Sequence, residues 1–151
     1  MRNRFVLPVF SLFLLFLVTA CGEDDPIIPQ EDHFEAIGVV LRTSGIPVAA
    51  ILRGETADTL RAKVGVLGDH IDVFFYNDDE QIVDPPADPN KTLAWEIGDP
   101  TMLTVVQDSA ATGKFEFHLR GEKVGATTLE LFIMHEGHSD FRSGKIPVAI
   151  D

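Results

Sequence analysis

The sequence predicts an all-β sandwich. From Phe34 onward, short runs rich in β-branched and aromatic residues are separated by Gly, Pro, Asp and Asn, which is the signature of strands and turns. In the clearest of these runs apolar and polar side chains alternate with a period of two, as one buried sheet face requires. No stretch beyond the leader sustains the 3.6-residue apolar period of a long helix. At 151 residues the chain is long enough for one such domain once a leader is set aside.

Residues 1–20 form the first element. Arg2, Asn3 and Arg4 make a positive start, and residues 5–18 are an apolar run interrupted only by Pro8 and Ser11, the pattern of a secretory signal peptide. That run falls short of the roughly 20 apolar residues needed to span a bilayer, so an export signal is expected rather than a membrane anchor. Val18-Thr19-Ala20-Cys21 resembles the bacterial lipobox. The resemblance implies diacylglycerol on the Cys21 sulfur, cleavage before that residue, and acylation of the new amino group by a palmitate-like chain. Several acyl chains anchor stably where one is marginal. Cys21 is the only cysteine in the chain, so no internal disulfide competes for it. Gly22 stands where an aspartate would imply inner-membrane retention, so the resemblance implies an outer-membrane lipoprotein. The acidic Glu23-Asp24-Asp25 that follows resembles the export signals of surface-displayed lipoproteins.

Residues 21–33 hold two prolines and a run of acids with no apolar period, and read as a flexible spacer lifting a domain of residues 34–151 off the membrane. Nine strands are expected within that domain, at 35–42, 47–53, 59–66, 70–76, 92–97, 102–107, 114–120, 127–135 and 141–150. Phe115, Phe117 and Leu119 share one face against Glu116, His118 and Arg120, and Leu129, Leu131 and Ile133 repeat the pattern against Thr128, Glu130 and Phe132. The acidic stretch 77–90 between the fourth and fifth strands reads as a long loop.

Residues 93–97 (Leu-Ala-Trp-Glu-Ile), Asp99-Pro100, Val105-Val106, Gly113, Gly121 and Gly125-Ala126-Thr127-Thr128 together resemble bacterial immunoglobulin-like domains, especially the group-2-like domains of surface proteins. The resemblance covers roughly the last sixty residues. It implies an immunoglobulin-like β-sandwich with Trp95 as the core tryptophan, a turn at 125–128 entering the next strand, and the preceding strand at 69–76. The extra strands between Glu35 and Val66 and the long acidic loop depart from that pattern.

Charge narrows the partners. Without Arg2 and Arg4 the remaining chain carries 10 basic and 24 acidic residues, a formal charge of −14. Such a domain repels phosphate backbones and anionic head groups, which argues against nucleic acid and against close contact with lipid head groups, and leaves cations and an envelope protein as partners. The glycines are too dispersed for a phosphate-cradling loop. Ser44, Ser109, Ser139 and Ser143 lie in turn-like contexts rather than in a hydrolase elbow, and acids such as Asp78 and Asp79 lie in a polar turn. The domain is therefore expected to be a non-enzymatic interaction module held at the envelope by lipid.

One cluster stands out. His135-Glu136-Gly137-His138-Ser139-Asp140 packs two imidazoles and two carboxylates into one turn, and these are the ligand types of zinc and related divalent ions. Histidines three apart on a straight strand point to opposite faces, but a glycine turn can bring both inward. In an antiparallel sandwich this turn lies at the end that also holds the 77–90 loop and the start of the first strand, which places His33 nearby. A polar turn without an ion is the leading reading of these residues, and a zinc site of His33, His135, His138 and Asp140 is the alternative. His118, on the outer face of its strand beside Glu116, is expected to form a solvated cross-strand pair rather than to act as a ligand, and His70 is expected as a turn residue.

Overall fold

The computed structural model describes residues 33–56, 58–108 and 114–151. The leader, Cys21 and the spacer up to Asp32 lie outside the described residues, as does Ser109. Eleven strands occur in chain order: β1 (Gly38–Thr43), β2 (Ile46–Leu52), β3 (Glu55–Thr56), β4 (Leu60–Ala62), β5 (Ile71–Tyr76), β6 (Ile82–Val83), β7 (Thr92–Ile97), β8 (Leu103–Val106), β9 (Glu116–Gly121), β10 (Gly125–His135) and β11 (His138–Ile150). No helix occurs among the described residues. Each of the nine expected strands overlaps one of these, and the two-residue β3 and β6 are additional. The third expected strand shrinks to β4, because Lys63 to Val66 closes into a turn with Gly65 at φ 72°.

The strands make two sheets. One runs β3-β2-β1-β5-β9-β8 with β6 also on β5, and the other runs β4-β11-β10-β7. Strands β1, β5, β9 and β8 hold the places of the A, B, E and D strands of an immunoglobulin domain, while β7, β10 and β11 hold those of C, F and G. β4 lies parallel to β11, pairing Val148 with Leu60 and Ile150 with Ala62. The domain is thus an all-β, immunoglobulin-like sandwich, with the extra β2 and β3 widening the first sheet at its edge.

Three two-residue hairpin turns fix much of the register. Ser44-Gly45, Arg53-Gly54 and Glu136-Gly137 each have positive φ at both positions, the conformation whose twist matches that of the flanking strands. Between the sheets, Val39, Leu41, Val73, Phe75, Phe117 and Leu119 meet Leu129, Leu131, Ile133, Ile146 and Val148, all at most 2% exposed. Fully burying side chains of this size contributes about 1.5–3 kcal/mol each, which makes this layer the main stabilising element.

Trp95 corrects one expectation. It stands on β7, the place of strand C, with the inward parity of the buried Leu93, yet it is only half-buried. β7 is the edge strand of its sheet, bonded on one side only to β10, so part of the ring stays in water.

Candidate metal centre

The turn at Glu136-Gly137 makes His135 and His138 the last pair of the β10–β11 ladder. Residues directly opposite in an antiparallel pair share a face, so both imidazoles point to the same side of the sheet. The next step of the ladder is irregular. Met134 pairs with Ser139 and Ile133 with Phe141, leaving Asp140 as an extra residue in a β-bulge. In a regular ladder Asp140 would face away from the buried Phe141, but at the bulge its side chain turns inward and is 0% exposed.

Three segments converge on that carboxylate. His33, just ahead of β1, places Nδ1 3.1 Å from Asp140 Oδ1, and His138 places Nε2 3.1 Å from the same oxygen. The Phe34 backbone N–H donates to Oδ2 at 3.3 Å. From the loop before β7, the buried Lys91 ammonium stands 3.7 Å from Oδ2, and His135 Nδ1 lies 3.6 Å from it. Asp88 approaches His135 Nε2 at 3.9 Å, while its carboxylate accepts the Asn90 N–H to shape that loop. Phe34 and Phe141 pack edge-on against Phe75 at 5.0 and 5.3 Å, so the residues adjoining His33 and Asp140 are anchored in the core.

Burial by itself pushes the Asp140 carboxyl up. The hydrogen bonds from His33 and Phe34, with the charges of Lys91 and His135, outweigh that and hold it below the ordinary carboxylate value. Asp140 is therefore ionised at neutral pH inside the protein, and it is the anion around which this end of the sandwich is arranged.

All four residues expected from the sequence meet here, but not equivalently. The ligand atoms of His33, His138 and Asp140 lie within 4.8 Å of one another. His135 stands against the opposite oxygen, where its buried Nδ1 makes no hydrogen bond among the described residues. His33 and His138 rings are edge-on at 5.5 Å, and each side chain keeps about two-fifths of its surface in solvent. An ion could reach the cluster from that side.

No protein-family model matches the sequence, and no characterised protein sequence does. Among solved structures the chain is similar to domains 4 and 5 of the S-layer protein SbsC. That likeness has 11% identity, covers 74% of this chain and 75% of the other, and reaches a TM-score of 0.42.

A second group went unread in the sequence. His70 is not a simple turn residue: its Nε2 lies 3.0 Å from Asp72 Oδ1 and 3.3 Å from Glu116 Oε2. His118 meets the facing segment as a cross-strand pair would, its ring edge-on to His70 at 5.3 Å, and it places Nδ1 3.0 Å from the Gly68 carbonyl. The signal was His-x-Asp at 70–72 and Glu-x-His at 116–118, two outward-facing steps whose meeting depends on β5 pairing with β9. Alternation gives the facing of each strand but not its neighbour.

Proposed function

We propose that this chain is a lipid-anchored protein of the bacterial envelope, tethered through Cys21 to an outer membrane. Its immunoglobulin-like domain serves as a non-enzymatic binding module, and its hairpin end takes a divalent transition ion, zinc foremost. The observation that carries the metal reading is the convergence of two imidazole nitrogens, each 3.1 Å away, on one oxygen of a fully buried carboxylate. Tetrahedral zinc with bonds near 2.0–2.2 Å separates neighbouring ligands by about 3.3–3.5 Å, so small side-chain adjustments would admit the ion. His33, His138 and Asp140 would be its ligands, with His135 Nδ1 standing 3.6 Å from the other carboxylate oxygen.

A second reading has its own support. Lys91, its side chain 4% exposed, already stands beside Asp140, and a buried carboxylate so compensated needs no metal. On that reading the cluster is a polar lock for the hairpin, and the module's ligand is an envelope protein that tolerates or seeks its acidic surface. Metal analysis of the full chain, purified in detergent without a polyhistidine tag, separates the two. Bound zinc, with a rise in melting temperature on adding more that is lost in His33→Ala with His138→Ala, supports the first. Absence of binding in neutral-pH calorimetry overturns it.

A further inference from the structure

We infer that the outer face of β5 and β9 carries a separate divalent-metal site made of His70, Asp72, Glu116 and His118. β5 turns Ile71, Val73 and Phe75 into the core and β9 does the same with Phe117 and Leu119, so the four polar residues between them share the opposite face. The register sets Asp72 directly across from Glu116, and the same antiparallel count sets His70 across from His118. Two carboxylates opposed on one face repel each other, and the arrangement favours a cation between them. The ligand atoms of His70, Asp72 and Glu116 already lie within 4.8 Å of one another.

His118 supplies an independent observation. Its Nδ1 lies against the Gly68 carbonyl, and Gly68 is itself held by its N–H to the Leu119 carbonyl at 2.8 Å. A carbonyl can only accept, so Nδ1 carries the proton, and in the neutral imidazole Nε2 keeps the lone pair for a ligand. That carbonyl-to-imidazole pairing is the usual outer support of a metal-binding histidine, fixing both tautomer and ring direction. Asp72 and Glu116 also line an open groove beside Pro85, Pro86 and Lys114, which gives solvent a path to the site.

Two imidazoles with two carboxylates suit zinc, copper(II) or nickel(II) over calcium or magnesium, whose preference is for oxygen alone. With His70 43% exposed and Asp72 41%, this is a surface site, and micromolar rather than nanomolar binding is expected. It shares no residue with the hairpin cluster, so either can fail without the other.

The test is calorimetric titration of the full chain in detergent with zinc chloride at neutral pH, in excess calcium. In His33→Ala with His138→Ala, which removes the hairpin ligands, one zinc should still bind. Adding His70→Ala and His118→Ala should abolish that binding, and Glu116→Gln alone should weaken it at least tenfold. These side chains face solvent, so circular dichroism of each variant should match the parent. No zinc bound by the first double variant, or binding unchanged by the second pair, overturns the inference and leaves His70 as an ion-pair partner of the two acids.

Discussion

Replacing Asp140 by Asn should cost the domain about 3 kcal/mol at neutral pH. The perturbation removes one charge at nearly constant volume. The carboxylate is fully buried, and its loss withdraws the anion 3.7 Å from the buried Lys91 ammonium and the charged acceptor for His33 and Phe34. Removing one partner of a buried pair costs about 3–5 kcal/mol, and the lower end applies because an amide oxygen can still accept the Phe34 N–H. The assay is urea unfolding with a chelator present, followed by the fluorescence of the single tryptophan, Trp95. With a slope of about 1.5 kcal/mol per molar, the midpoint should fall by about 2 M. The pH dependence has a defined sign. Because the folded carboxyl titrates below its ordinary value, its stabilisation is fully present above the unfolded value near ~3.9 and disappears as pH falls through the lower folded value. The gap between parent and variant should therefore be widest near neutrality and close below pH ~4. A midpoint shift under about 0.5 M, or a gap that ignores pH, would refute the assignment of Asp140 as the organising anion.

Three further outcomes are expected, the last from the sequence alone. Phe75→Ala should cost about 4–5 kcal/mol, because a ring 1% exposed and edge-on to Phe34, Phe115 and Phe141 is lost; thermal unfolding measures it, and a loss below about 2 kcal/mol would contradict that packing. Trp95→Ala should cost only about 2 kcal/mol, less than a fully buried ring, since β7 leaves it half in water; a loss above about 4 kcal/mol in denaturant titration would restore it to the core. Cys21→Ala should abolish metabolic labelling by radioactive palmitate and leave unprocessed precursor, and labelling that persists would remove the anchor.

Much of the fold was legible because alternation is a local signal. Phe117 and Leu119, or Leu129, Leu131 and Ile133, reveal their buried face within five residues of chain. β11 was harder to read. Its inward residues are His138, Phe141, Ser143, Ile146, Val148 and Ile150, a series broken twice where Asp140 and Gly144 are inserted against β10. Nothing in the sequence marks those insertions except the ladder that β10 imposes. The hairpin cluster was legible because its ligands crowd one turn, and His33 followed from the end of the sandwich that an antiparallel count assigns. Lys91 was not, since a lysine before a strand ordinarily faces water and only the buried Asp140 draws it inward. The 70–72 and 116–118 group required knowing which strands are neighbours, a property of topology rather than of either segment.

The bulges explain the unequal lengths of the last two strands: β11 has 13 residues and β10 has 11, and the two inserted positions account for the difference. Deleting Asp140 would return the hairpin tip to an ordinary ladder without moving Ile146, Val148 or Ile150 from the core. The organising anion is thus a detachable addition to a standard hairpin, acquired or erased by a single codon. Transplanting the bulge into an unrelated sandwich, together with a histidine at each end of a two-residue turn, is a direct route to building the same centre.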